Sequence, residues 1–436
     1  MATLSNTIGG ESFVTTKSRQ GYVLALLVVI GIFAWTDRNV LSILLESIRR
    51  DFDFSDSQLG LLGGVAFGLF YATLGLPVAW MADRYNRVTL ISVAIAIWSA
   101  ATALCGLATG FLTLFLARVG VGIGEAGASP PAQSLISDYF PPERRAFALG
   151  IFYLYVPLGF VVGFLAGGWL NELFDWRVAF AVVGLPGLLL AALTRLTLAE
   201  PPRGLSERLG DSGETPSLPA TIRYFWSRPS LRHLPLAGAI HGIGSFAAAV
   251  WLPSYFIRAY GLSSGKVGTW MAVAYGLGGG VGVLAGGYLA DKLARRKSDE
   301  RWYPWSCAIY ILAAAPFAGV VYLTDTPTTA FIALVAATLF TQMFLGPVTA
   351  IMQGLAGLRR RAVVAAFYLF LVNLISTGVG PLVVGMVSDH FGARFGTDSL
   401  RYALLLIVLV TSAWSAVHFA LAARHVRKDL AAARAS

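Results

Sequence analysis

Cysteine is nearly missing from this chain: two residues in 436, Cys105 and Cys307, each inside an apolar stretch. They supply no disulfide framework. Charge is scarce as well, 13% against a hydrophobic content of 56% and a mean hydropathy of +0.68. A soluble domain cannot hide that much apolar surface. Five scattered histidines form no metal cluster, and there is no Walker A loop, HExxH, CxxC or G-x-S-x-G. ATP is therefore not expected as the energy source, and no enzymatic activity is expected. No segment has the strict alternation of an outer-membrane strand. The polar opening segment, MATLSNTIGGESFVTTKSRQ, lacks the short apolar core and cleavage site of a signal peptide, so the first apolar run is expected to direct insertion.

What the chain does have is long apolar runs of about 20 residues, which match a hydrocarbon layer roughly 30 Å thick. Twelve are read, over 21–46, 58–81, 88–109, 111–137, 147–170, 177–198, 234–258, 264–290, 303–324, 328–354, 362–388 and 400–423. They predict an all-α membrane protein of 12 transmembrane helices in two six-helix bundles, 21–198 and 233–423. Flanking these are an N-terminal tail (1–20), a linker (199–232) rich in Pro, Ser, Gly and Arg, and a basic C-terminal tail (424–436). The 47 glycines suit helices packed closely through small residues. The net charge of +10 does not indicate nucleic-acid binding, because the positive charge lies in loops between the runs. Of the 33 Lys and Arg, 24 fall on the side of the tails and linker and seven on the other. Arg38 and Arg118, inside spans, are the remaining two. That bias predicts both termini in the cytoplasm, as in a multi-pass protein of a cell inner (plasma) membrane.

The two bundles repeat a charged loop. AWMADRYNRV (Ala79–Val88) follows the second span and GYLADKLARR (Gly287–Arg296) the eighth, with Asp83 and Asp291 208 residues apart. These loops resemble the G-x-L-A-D-[RK]-x-G-[RK]-[RK] signature of the major facilitator superfamily. The second copy departs from it at Ala294, the first at Ala79, Asn86 and Val88. Arg118-Val-Gly-Val-Gly-Ile-Gly in the fourth span and Gly159, Gly163, Gly167 and Gly168 in the fifth are similar to further patterns of that superfamily. A narrower likeness, to its spinster branch, is carried by Gly124-Glu125-Ala126, Ser129-Pro130, Ser137-Asp138-Tyr139-Phe140-Pro141, Arg144-Arg145, Asp37-Arg38 and Gly380-Pro381…Ser388-Asp389. The resemblance implies the two-bundle major facilitator fold with pseudo-symmetric halves. It also implies transport of lysophospholipids or related amphipathic lipids, anionic or zwitterionic, coupled to protons, with no other cofactor.

The charges inside the apolar runs are the natural site candidates, since even on the mildest scale each costs roughly 2.5–3.5 kcal/mol at a helix centre. Glu125 lies in VGIGEAGASPP, just before Pro130-Pro131, where the helix is expected to bend. Asp37 and Arg38, consecutive on the first span, point about 100° apart. The simplest arrangement directs Arg38 into a central cavity facing Glu125, with Asp37 beside it. A deprotonated carboxylate then pairs with Arg38, and a protonated one frees Arg38 for an anionic head group. The alternative is a permanent pair that merely holds spans one and four together. The likeness of Arg118 to the superfamily's span-four arginine implies a link to the cytoplasmic loops or to proton transfer; the alternative is an arginine that snorkels near its helix end. Secondary candidates are Ser129, Gln133, His241, Gln342 and Asn373, with His241 read first as a satisfied core histidine. Phe246, Trp251, Phe344, Phe367 and Phe370 are candidates for an acyl-chain wall or for plain packing. Asp83, Arg84, Arg87, Asp291, Lys292 and Arg295 are expected to form a cytoplasmic gate. The partners expected are an amphipathic lipid and the bilayer, with the protein a monomer. The competing functions are a proton-coupled carrier of a small organic anion or drug and, from another class, a non-transporting membrane receptor or scaffold.

Overall fold

The computed structural model describes residues 4–8, 11–203, 205, 218–356 and 361–434. A backbone in lipid must satisfy its own hydrogen bonds, and the apolar runs do so as helices. Among the described residues, eleven helical stretches are long and apolar enough to cross a membrane. The last of these covers 67 residues, Phe367–Ala433, and is two helices. The eleventh span runs over 361–395 and the twelfth over Ser399–Arg434, folded back at Gly396 (φ 54°). Twelve crossings result, as expected. An even number leaves both termini on one face, here called the termini face; the opposite one is the far face.

The first helix starts at Lys17, inside the tail predicted to reach residue 20, and an antiparallel strand pair, Leu4–Ile8 with Glu11–Thr15, precedes it. The twelfth helix continues through the predicted basic tail to Arg434. Most of the linker, 204 and 206–217, lies outside the described residues, but its end forms a helix, Leu218–Ser227, before the seventh span, Pro229–Tyr260.

The 208-residue offset recurs in the backbone. The first span (Lys17–Phe52) ends at Asp53 in the left-handed region (φ 54°), and the seventh ends at Gly261 (φ 63°). Two residues further on, Ser55 and Ser263 cap the next helices by accepting from the N–H three positions ahead. A serine at this position satisfies an otherwise orphaned donor. The two bundles are thus built by one local program used twice.

Burial shows where the bundles meet. One large apolar core draws on both halves near the far face, with Leu44, Leu62 and Phe164 packed among Trp251, Met271 and Val384. Towards the termini face there are instead two separate cores. One, around Ile91, Trp98 and Leu135, belongs to the N-terminal half; the other, around Ile311, Val348 and Phe419, belongs to the C-terminal half. The molecule is fused at the far face and divided at the termini face.

Two seams close the far face, and both depend on small residues that allow close helix approach. The second span (56–82) crosses the eleventh so tightly that a Cβ on Gly64 would lie 2.7 Å from the Gly378 carbonyl oxygen. The fifth span (Pro142–Leu173) meets the eighth (Ser264–Lys297), where Glu172 accepts from the Gly265 N–H at 2.7 Å and Asn171 donates to Ser264 at 3.0 Å. Between the seams lies an ionic clasp. Arg258 of the seventh span donates to Glu46 at 2.5 Å and forks onto Asp56 at 2.8 and 2.9 Å. Ser388 also donates to Asp56, at 2.6 Å, and Asp389 accepts from the Asp56 and Ser57 N–H groups at 3.0 and 2.8 Å.

Candidate functional site

The fourth span, Phe111–Tyr139, is two helices, Phe111–Ala126 and Ser129–Tyr139. Pro130 and Pro131 supply no N–H to the preceding turn, so the ladder breaks there. Glu125 sits one residue before that break. Gly124, beside it, lets the third span (Arg87–Cys105) come so close that a Cβ would lie 2.5 Å from the Trp98 nitrogen. Glu125 is therefore held firmly in a buried position at a discontinuity in its helix.

Arg38 reaches it from the first span: Nε donates to Glu125 Oε2 at 2.5 Å, with the Glu125 side chain fully buried and the Arg38 side chain 15% exposed. The second Glu125 oxygen accepts no hydrogen bond. The pair forms one wall of a recess of about 400 Å³, including its open mouth, whose lining also contains Leu27, Trp35, Tyr71, Ser129 and Tyr155. Apart from Arg38 and Glu125 this lining carries no ionised side chain. One cation, one carboxylate and aromatic walls give the recess the make-up of a small-ligand site.

Asp37 is not beside Arg38 in the recess, as the sequence suggested. The 100° turn carries it into the interior of the N-terminal half, where Oδ2 accepts from Thr102 at 3.1 Å and Oδ1 has no partner. Arg118 departs from the loop and snorkelling expectations. It lies two turns from Glu125 on the far-face side, so it serves no termini-face loop, and at 1% exposure it does not snorkel. Its guanidinium faces the Asp37 carbonyl oxygen at 3.5 Å, and its Nε is unpartnered. Behind the recess a second buried cation thus meets the first span at the Asp37 carbonyl oxygen.

Of the secondary candidates, Ser129 lines the recess and receives a hydrogen bond from Gln133 at 3.1 Å. The others lie in the C-terminal half and are not brought to Arg38. His241 is a core residue, edge-on to Phe344 at 4.7 Å. Gln342 packs near Gly279, and Asn373 donates to the Leu369 carbonyl of its own helix. Trp251 is fully buried with its Nε1–H on the Pro381 carbonyl, Phe344 is buried beside His241, and Phe367 packs on Phe225 of the linker helix. Those three are packing residues rather than an acyl-chain wall.

The expected termini-face gate is not engaged between the halves. Arg87 is buried under its own bundle, paired with Asp138 and with Glu200 at 2.6 Å, and it donates to Ser134 at 2.8 Å. Arg84 stacks on Trp80 next to an exposed Asp83. Asp291 accepts from Tyr303 at 2.9 Å, within the C-terminal half, while Lys292 and Arg295 are exposed. Among the described residues, neither aspartate is hydrogen-bonded to a helix end of the other half. In the eighth-to-ninth loop, burial works to raise the Asp299 pKa, but hydrogen bonds from Arg301 and Arg427 hold it below the usual carboxylate range.

Sequence reasoning missed Thr102, the rings around Arg38 and the Glu46–Asp56–Arg258 clasp. Thr102 carried no signal in a run of small residues. The clasp charges were visible, but only as charges at span ends.

A bundle of twelve spans in two repeated halves, with a charged recess between helices, is a membrane transporter rather than an enzyme. The chain belongs to the Major Facilitator Superfamily, whose sequence profile matches residues 27–381. Within that superfamily it is a spinster-branch member. It is similar to a bacterial homologue of the human lysosomal transporter spinster, solved in an inward-facing, unoccupied conformation. The TM-score is 0.87 at 31% identity, over 95% of this chain and 99% of that one. It is 28% identical over 406 residues to the sphingosine-1-phosphate transporter SPNS2 of Danio rerio, covering 87% of this chain and 79% of that protein. It is also 30% identical over 414 residues to an MFS-type efflux pump of Mycolicibacterium smegmatis, covering 93% of each.

Proposed function

We propose that this protein is a proton-coupled carrier of lysophospholipids, working by alternating access, in which protonation of Glu125 releases Arg38 to the lipid's anionic head group. The observation that carries this is the 2.5 Å Arg38–Glu125 pair at the wall of an otherwise uncharged, aromatic recess. An arginine remains cationic under all physiological conditions, so only the carboxylate can switch. While Glu125 is ionised, separating the pair leaves a buried charge unmatched, at a cost of about 3–5 kcal/mol. A proton on Glu125 removes that cost, and a phosphate can then take the guanidinium as a bidentate partner. The acyl chain lies against Leu27, Ile30, Trp35 and Tyr155.

The first span links the two events. It carries Arg38 in the recess and, two turns on, Glu46 in the far-face clasp. A shift of this helix on release of Arg38 strains the clasp, which makes the far face the next to open. Asp37, tied to Thr102 on the other side of the same helix, is a second protonatable carboxylate behind the recess. With the Lys/Arg-rich termini face in the cytoplasm, this structure is the inward-open form of a monomeric inner-membrane (plasma-membrane) carrier, and the proton is its only cofactor.

A second substrate class, a small organic anion or drug carried by the same switch, is favoured by the likeness to the mycolicibacterial efflux pump. Liposomes holding the purified protein test the choice. Labelled lysophospholipid should accumulate faster with an imposed pH gradient than without. No movement of any lysophospholipid in either condition removes the lipid claim and leaves the second class.

A further inference from the structure

Arg38 has neighbours besides Glu125. Its guanidinium carbon lies 4.4 Å from the Tyr71 ring centroid, 4.7 Å from that of Phe67 and 5.1 Å from that of Trp35. Phe67 and Tyr71, one helical turn apart on the second span, are stacked with centroids 5.3 Å apart and planes at 18°. Phe67 is almost completely buried and also faces the Arg118 guanidinium at 5.6 Å, so the same ring stands between the two buried cations. Ring faces attract a cation most strongly where water is scarce, as it is around an Arg38 side chain that is only 15% exposed.

We propose that Tyr71, backed by Phe67 and Trp35, is a positioning residue that holds Arg38 at the recess wall once Glu125 has let it go. A switch that merely breaks an ion pair leaves a bare cation among apolar groups, which drives the pair to reform or the side chain to swing out to water. Three rings offer that cation a seat that takes no proton and carries no net charge. Arg38 is thereby kept in place and still available to an anion, and the pair opens at a smaller cost. Phe67 is shared with Arg118, so its loss disturbs both cations; Tyr71 addresses Arg38 alone.

This rests on Glu125 being the group that releases Arg38, but not on the identity of the substrate, and the test uses none. Apparent melting temperatures of the detergent-purified full chain are compared for wild type, Tyr71→Leu, Tyr71→Phe, Glu125→Gln and the two combinations of Glu125→Gln with a Tyr71 change. In Glu125→Gln the cation has lost its carboxylate. Removing the ring there should therefore lower the melting temperature by about 2 °C more than it does in wild type, while Tyr71→Phe, which keeps the ring, should show no such excess. Equal losses in the two backgrounds, or the same excess for Phe as for Leu, overturn the proposal. If Glu125→Gln/Tyr71→Leu yields no folded protein, adding Arg38→Met should restore it, since the unseated cation is then gone; failure to restore it also overturns the proposal. Lysophospholipid transport in the Tyr71→Phe protein, measured separately, tells a wrong substrate from a wrong seat.

Discussion

Replacing Arg258 with methionine should open the far face. Arg258 makes three charge-assisted hydrogen bonds, one to Glu46 at 2.5 Å and two to Asp56 at 2.8 and 2.9 Å. Its side chain is 13% exposed, and the two carboxylate side chains are 5% and 8% exposed. Methionine keeps the length and the apolar stem but, in the closed state, leaves Asp56 without its cation and Glu46 with only the 3.5 Å contact to exposed Arg50. Breaking a buried pair by removing one partner costs about 3–5 kcal/mol. With the far face open those carboxylates are hydrated and the loss is not felt. The ratio of far-open to far-closed molecules should therefore rise roughly 150- to 4,000-fold. The assay is pulsed electron spin resonance between labels at Thr109 and Asp325, exposed far-face sites in opposite halves, in a protein with Cys105 and Cys307 replaced by alanine. A second label pair at Tyr85 and Lys297 reports the termini face. The far-face distance should lengthen and the termini-face distance shorten. Arg50→Gln is the control: its contact with Glu46 is 3.5 Å and its side chain is 67% exposed, an arrangement worth less than about 1 kcal/mol. Unchanged distance distributions in Arg258→Met, or equal shifts in the control, refute the clasp as what holds the far face shut.

Arg87→Met should act on stability instead, because Arg87 neutralises Asp138 and Glu200 inside one bundle; a loss of about 3–5 kcal/mol should appear as a large fall in melting temperature with the two-label distances of surviving protein unchanged. Gly64→Val should force the second and eleventh spans apart, since even a Cβ there would lie 2.7 Å from the Gly378 carbonyl oxygen, and the far-face label distance should grow. The ties of Asp299 to Arg301 and Arg427 should persist at neutral pH and weaken only in acid. A carboxyl whose folded pKa is depressed contributes above its unfolded pKa, about 3.9, and that contribution disappears as pH falls through the lower folded value. Limited proteolysis of the last helical turns should accordingly be constant from pH 7 to pH 5, whereas Asp299→Asn should be cut faster throughout that range.

The spans were legible because a bilayer demands one thing of a segment, enough consecutive apolar residues, and the chain states it openly twelve times. The repeat was legible because Asp83 and Asp291 stand at equal places in equal loops, and the backbone adds Asp53 with Gly261 and Ser55 with Ser263 at the same spacing. Arg38 and Glu125 could be paired across 87 residues because charges inside the spans are so few. The direction of Asp37 could not be read. Consecutive residues on a helix are known to diverge, but which of them meets the cavity depends on where the third span lies. Arg87 was misplaced for a related reason. It sits in a loop with a gate-like pattern, yet its partners, Asp138 and Glu200, come from the end of the fourth span and the start of the linker. The far-face clasp escaped notice because Glu46, Asp56 and Arg258 look like ordinary charges at helix ends, and only the packing of the two halves shows that they are buried together.

The most direct measurement of the Arg38–Glu125 switch is proton movement during lipid transport. Liposomes with an internal pH-sensitive dye, the purified protein and an imposed lysophospholipid gradient should show proton flux coupled to lipid flux for wild type. Glu125→Gln should move no protons, and Arg38→Ala should move neither protons nor lipid. Undiminished lipid-coupled proton flux in Glu125→Gln would contradict the assignment of Glu125 as the group that releases Arg38.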